Sequence, residues 1–191
     1  MSIFVIIDTE TTGLLENPDA RPIELGWLTI EDTRADGELV EVERGALLLR
    51  YGYDVFEKAD EAALRVNGLD RATFEGEAKW SANIGQAALW YRYLPEGWHR
   101  SVTGWNVQFD LAMLQRAASY GEPIRQTWKD PMEVLGHHLS RERCSLARAS
   151  VWAADVLGDR LSTLDVPAHR ALGDCWRTFQ VLRAMRARDL L

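Results

Sequence analysis

FVIIDTETTGL, residues 4–14, is the stretch on which the fold turns. Phe4 and three β-branched residues, Val5, Ile6 and Ile7, run straight into Asp8. Glu10 follows two positions later, and Thr11, Thr12 and Gly13 break the run. A short β-branched run of this kind predicts a buried strand over Ile3–Asp8. Residues i and i+2 of a strand share a face, so Asp8 and Glu10 project together, their Cα atoms roughly 6.5 Å apart, while Thr9 turns away. Two like charges held that close are unfavourable unless a cation lies between them. Solvation of both at a strand end is the competing reading, and this stretch alone does not separate the two.

Working outward, Pro22–Ile30 and Gly45–Arg50 read as two further strands, with a turn in the acidic, Gly-containing segment 31–44. This gives an antiparallel hairpin or meander beside the first strand. Lys58–Val66 reads as a helix stopped by Asn67-Gly68. Trp80–Leu94 reads as a second helix, closed by Pro95 and Gly97. Ser101–Trp105 fits a short strand, followed by a helix from Val107 to Tyr120 and another over Ser145–Leu157. The last helix starts near His169, with Leu172, Trp176, Phe179 and Leu182 at helical spacing. Strands first, then helices and strands in alternation, predict a mixed α/β sheet flanked by helices. The eight tryptophans are scattered and read as core.

The 191 residues are expected to form one domain, 1–191, large enough for a real core. A hydrophobic content of 47% and a charged content of 27% are ordinary for a globular protein. No apolar run approaches the roughly 20 residues of a membrane span. The first residues carry no basic leader, and Asp8 interrupts their apolar run too early for a signal peptide. Cys144 and Cys175 make neither a disulfide framework nor a CxxC zinc pair. A reducing cytoplasm is the expected location, with no membrane partner.

A net charge of −7 argues against indiscriminate coating of DNA. The charge is uneven, however. Residues 1–97 hold 9 Lys+Arg against 19 Asp+Glu, whereas residues 98–191 hold 13 against 10. A phosphate-bearing partner would meet the C-terminal half more comfortably. Arginine supplies 19 of the 22 basic residues, and its planar fork suits phosphate oxygens. A GC-rich gene explains that excess equally well.

Two more stretches carry chemistry. In TGWNVQFDLAML, residues 103–114, Asn106 and Asp110 lie one helical turn apart and share a face. Taken singly, Asn106 is an ordinary helix cap and Asp110 an ordinary first-turn acid. In HRALGDCW, residues 169–176, His169 stands at the mouth of the final helix with Asp174 five residues on. His137-His138 is the other histidine feature, and adjacent side chains diverge too far to make it a metal pair.

As an ordered set, the three stretches resemble the motifs of the DEDD superfamily of 3′→5′ exonucleases. FVIIDTETTGL is similar to its Asp-x-Glu first motif, GWNVQFD to its Asn-x-x-x-Asp second motif, and HRALGD to the His-x-Ala-x-x-Asp third motif of the DEDDh branch. IELGWL at 23–28 and VNGLD at 66–70 echo further family positions. That branch includes the proofreading subunit of the bacterial replicative polymerase, ribonuclease T and oligoribonuclease. Trp105 departs from the pattern, standing where many members carry His.

The resemblance implies a ribonuclease H-like mixed central sheet, an antiparallel meander followed by parallel strands, flanked by helices. It implies that Asp8, Glu10, Asp110 and Asp174 hold two Mg²⁺ or Mn²⁺ ions, which hard carboxylate oxygens favour over zinc. Asp8 would bridge the ions, Glu10 and Asp174 would complete the site of the nucleophilic water, and Asp110 would help hold the second ion. His169 would be the general base. Thr11, Thr12, Leu14, Asn106 and Phe109 would meet the substrate, with Leu14 wedged on the last base or buried in the core, and Phe109 stacked or packed. Arg141, Arg143 and Arg148 would follow the strand backbone.

The implied substrates are single-stranded 3′ ends, DNA before RNA, because DTETTG is nearer the proofreading type than the D-L-E-M-T-G of oligoribonuclease. The implied settings are proofreading and DNA repair. The chain ends 17 residues after Asp174, which argues against a stable polymerase tether. Ribonuclease T-like relatives allow a homodimer. The reading of another class is a non-catalytic nucleic-acid-binding or adaptor module on the same fold. Such a module would be expected to have lost a carboxylate or the histidine, and all five are present.

Overall fold

The computed structural model describes residues 2–33, 37–76, 81–83 (backbone only), 101–117, 130–140, 143–166 and 169–191. Strands β1 (Ser2–Thr11), β2 (Pro22–Thr33) and β3 (Glu38–Arg50) form an antiparallel meander. β4 (Ser81–Asn83) pairs parallel to the end of β3, and β5 (Val102–Thr103) pairs parallel to β1, giving the order β4-β3-β2-β1-β5. This is the expected mixed sheet, meander first and parallel strands afterwards.

Two strands outrun their expected ends. Most of the acidic segment 31–44 is strand, not turn. Its charges conceal the inward positions: Leu39 is buried, and the buried carboxylate of Asp32 accepts from Arg186 Nη2 at 2.8 Å. At Ser81–Asn83 the structure has a strand where a helix was expected to open. The parallel pairing with Leu48–Arg50 overrides the local helical preference there. The rest of the helix expected over Trp80–Leu94 lies outside the described residues.

Six helices complete the described chain: α1 (Glu61–Asn67), α2 (Arg71–Gly76), α3 (Val107–Ala117), α4 (Pro131–His138), α5 (Leu146–Leu157) and α6 (Ala171–Arg186). α1 stops where Gly68 takes a left-handed conformation with φ of 66°. α2 and α4 were missed from the sequence; residues 118–120 of the helix expected after Val107 lie outside the described residues.

Strand alternation sends the two faces of the sheet to different helices. Phe4, Ile6, Leu28 and Ile30 form one core with Cys175, Phe179 and Leu182 of α6, and α5 adds Ala149, Ala153 and Leu157. Val5, Ile7, Leu25 and Trp27 form the opposite core with Val107, Leu111 and Leu114 of α3. α6 rides very close over β2: a Cβ on Gly26 would lie 2.4 Å from the carbonyl carbon of Ala171. Only glycine permits that approach, and it seats the first turn of α6 directly over the end of β1.

Candidate metal centre

Asp8 lies opposite Gly26, and Glu10 opposite Glu24, in the β1–β2 register. Both acids stand on the α6 face of β1, where Asp174 occupies the first turn of that helix. One oxygen from each of Asp8, Glu10 and Asp174 falls within 4.8 Å of the other two. The three residues are partly buried and brought together as the alternation of β1 predicts.

Asp110 reaches the group from the other face. Thr9, which points away from Asp8 and Glu10, points at α3. Its N–H and its hydroxyl both donate to Asp110 Oδ1, at 2.7 and 2.6 Å. Asp110 is therefore held by the residue between the two strand acids. Among the described residues it is not in the close three-way oxygen cluster, yet it is near enough to act electrostatically on Asp8.

Burial dominates the acidity of all four groups. It holds the Asp8 carboxyl well above the usual range, helped by the charges of Asp110, Glu10 and Asp174. Burial, then Asp174, Glu24 and Asp110, push Glu10 up to about 8, with Arg170 opposing. Asp110 is pushed up to about 7 by burial despite its two bonds from Thr9. Asp174 is raised by burial, while Arg177 and His169 counter it. Without a cation, Glu10 and Asp110 retain protons near neutrality. Clustered hard oxygens that hold protons because they are buried together are a fitting donor set for divalent cations, which would displace those protons.

His169 stands beside the group, Nδ1 3.9 Å from Asp174 Oδ2, with its side chain 54% exposed. It adopts a left-handed φ of 58°, and Arg170 after it is extended, so α6 begins at Ala171 and His169 lies outside it. Arg177 Nη1 donates to Asp174 Oδ1 at 3.2 Å. Cys175 lies buried behind the cluster, donating to the Ile6 carbonyl at 3.8 Å; burial and the nearby carboxylates push its thiol up, so it is no nucleophile.

The second motif is anchored through its main chain. Asn106 has a left-handed φ of 58°, its carbonyl accepts from Phe109 N–H at 2.9 Å, and its N–H donates to Asp130 Oδ1 at 3.2 Å. The buried Asp130 also caps α4 through Met132 N–H at 2.8 Å. Trp105 is buried and donates from Nε1 to the Cys144 carbonyl at 3.1 Å, which gives the aromatic ring at this position a packing role.

The remaining expected contacts divide. Thr11 and Thr12 are buried; Thr11 Oγ1 donates to the Gly13 carbonyl at 2.8 Å, and Thr12 Oγ1 accepts from Arg21 N–H at 2.9 Å. Their hydroxyls shape the loop. Leu14 is 61% exposed, which rules out the core reading. Phe109 is half-buried and belongs to none of the three core clusters. Arg143 and Arg148 are exposed, Arg141 lies outside the described residues, and His137 and His138 are exposed at the end of α4.

Thr9 went unread in the sequence because its partner is 101 residues away. Thr9→Val removes one donor and keeps the shape. We expect a stability loss of about 1.5–3 kcal/mol, the usual contribution of a hydrogen bond to a charged group, measured by urea unfolding at pH 8. Thr9→Ser, which keeps the hydroxyl, should recover most of it.

No protein-family model and no curated protein matches the chain. Solved structures do. A structure of exonuclease X in complex with 5′-overhanging duplex DNA matches with a TM-score of 0.59 and 19% identity, over 95% of this chain and 90% of that one. A structure of exonuclease I matches with a TM-score of 0.64 and 16% identity, over 97% of this chain. A zinc-bound complex of Escherichia coli exonuclease I with single-stranded DNA matches at 0.57 and 15%. The chain spans only 41% of either exonuclease I chain. These likenesses establish the fold, the ribonuclease H-like mixed sheet flanked by helices that the three motifs implied.

Proposed function

We propose that residues 1–191 form a divalent-metal-dependent 3′→5′ exonuclease domain. It hydrolyses the terminal phosphodiester bond of single-stranded nucleic acid, DNA in preference to RNA, and releases nucleoside 5′-monophosphates. The observation that carries this reading is the convergence of Asp8, Glu10 and Asp174, from β1 and α6, with Asp110 held by Thr9 from the opposite face. A fold shared with exonuclease X over nearly the whole of both chains supports it. A non-catalytic module has no use for five such groups, four of them carboxylates held against their own repulsion.

Asp8, Glu10, Asp110 and Asp174 would hold Mg²⁺ or Mn²⁺. When bound, a pair of such ions supplies Lewis-acid stabilisation of the attacking and leaving oxygens of an in-line displacement. His169 accepts the proton of the attacking water, and its exposure leaves the ring free to reach it. Leu14, the exposed member of the loop that Thr11 and Thr12 shape, contacts the terminal base, and Phe109 borders the same strand end. The RNA alternative rests on the same chemistry, since nothing in the cluster reads a 2′-hydroxyl.

The test is incubation with 3′-tailed DNA and RNA oligonucleotides, with Mg²⁺, Mn²⁺ or a chelator. Stepwise shortening from the 3′ end that a chelator stops is the expected result. Shortening from the 5′ end, or none on any substrate, overturns the reading.

The raised acids also make stability pH-dependent. Burial pushes folded Glu10 up to about 8 and Asp110 up to about 7, above their ordinary values of 4.5 and 3.8. Between those limits the folded chain binds more protons than the unfolded chain, so cation-free stability falls as pH rises through the window. A divalent cation takes the place of those protons. At 100-fold over its Kd it adds about 2.7 kcal/mol, or roughly 5–10 °C in a chain of this size. Calorimetric melting should show that gain at pH 8 and little of it at pH 5.

A further inference from the structure

Glu24 presents a puzzle. It is a fifth acid, on the sheet face that carries Asp8 and Glu10, directly opposite Glu10 and only 3% exposed, added to a cluster that already repels itself. Both of its oxygens accept hydrogen bonds. Arg170 Nε donates to Oε1 and Oε2 at 3.2 and 3.0 Å, Arg170 Nη2 donates to Oε1 at 2.7 Å, and Ala171 N–H donates to Oε2 at 3.0 Å. Charge-assisted forks of this kind are directional and strong.

The donors are telling. Ala171 is the first residue of α6, where a backbone N–H has no partner within the helix, and Arg170 makes no side-chain cap there. Glu24 therefore caps the helix from the neighbouring strand. What it fastens is the segment bearing the third motif: His169 immediately precedes Arg170, and Asp174 N–H donates to the Arg170 carbonyl at 3.0 Å. Gly26, two residues along the same strand face, lets Ala171 settle against β2. Arg170 also supplies the positive charge that opposes the rise of Glu10.

We propose that the Glu24–Arg170 pair is a positioning device, which sets where His169 and Asp174 stand relative to Asp8 and Glu10, and that Glu24 is not a metal ligand. The inference deepens the exonuclease reading and rests on it for the activity readout. α6 carries its own control. At its far end Arg186 pairs with the buried Asp32 of the same strand at 2.8 Å, fastening the helix to β2 with no site residue nearby in sequence.

The experiment compares Glu24→Gln, Arg170→Gln, their double variant and Asp32→Asn, in the full chain. The readouts are melting temperature, Mn²⁺ binding by calorimetry, and kcat and KM on a 3′-tailed oligonucleotide. Partners that orient metal-site residues typically contribute 10–100-fold to activity or metal affinity. Glu24→Gln and Arg170→Gln should each lower kcat by about that factor, with KM within about threefold, and weaken Mn²⁺ binding. The double variant should be little worse than either single variant, because the two act as one unit. Asp32→Asn should lower the melting temperature and leave kcat within about twofold.

Two results overturn the proposal. In one, Glu24→Gln matches Asp32→Asn, with a stability loss and an intact kcat. In the other, Glu24→Gln removes one bound ion per chain while Arg170→Gln removes none, which makes Glu24 a ligand. Should the wild type shorten no oligonucleotide, the exonuclease reading falls by itself. Mn²⁺ affinity and hydrogen exchange at the amides of residues 171–175 then decide the clamp, which predicts weaker binding and faster exchange in both single variants.

Discussion

Asp8→Asn is expected to lower turnover about 10³-fold and, in cation-free buffer at pH 8, to raise the melting temperature. Both effects have one cause. The Asp8 carboxyl is buried among Asp110, Glu10 and Asp174, and each of them raises it. An amide of the same shape removes an acid whose ionisation the folded site opposes, and with it that cost at pH 8. Each pKa unit of repulsion relieved is worth about 1.4 kcal/mol, which corresponds to a rise of several degrees. The same amide cannot serve as an anionic ligand. Loss of about 4 kcal/mol of electrostatic stabilisation in the transition state is about a 10³-fold loss of rate. A variant that gains stability while losing activity points to a functional site. One that loses both points to a structural acid.

His169→Ala is expected to lower turnover by 10²–10⁴-fold, the usual contribution of a general base, and to leave Mn²⁺ affinity close to wild type. The ring is 54% exposed, lies outside α6, and approaches Asp174 at 3.9 Å without a close hydrogen bond. Little in the fold depends on it, so the melting temperature should move by less than a degree or two. An exposed loop histidine with no role in proton transfer would give wild-type turnover instead.

Much of this arrangement was legible in the sequence, and the rest was not for identifiable reasons. The period of two in FVIIDTET sent Asp8 and Glu10 to one face, and the structure has them there. Capping chemistry placed the end of α1 at Asn67-Gly68, and the helix expected from Ser145 starts there with Ser145 as its N-cap. What escaped were pairings between residues distant in the chain. Thr9 read as facing away, and it does; that it faces Asp110 depends on a helix 101 residues later. Glu24 read only as part of a familiar stretch, because its bond to Arg170 spans 146 residues. β4 went unread because its three residues are a strand only by virtue of β3 beside them. α4 is the avoidable miss: Asp130-Pro131 is an N-cap followed by a first-turn proline, a readable helix start.

The central claim is that four acids from both faces of the sheet, Asp8, Glu10, Asp110 and Asp174, gather round a pair of divalent cations. Calorimetric titration of the cation-free chain with Mn²⁺ at pH 8 tests it without a substrate. Two ions per chain, proton release on binding, and loss of the tight phase in Asp8→Asn are the expected results. Binding no stronger than that of Asp8→Asn, with no protons released, would contradict it.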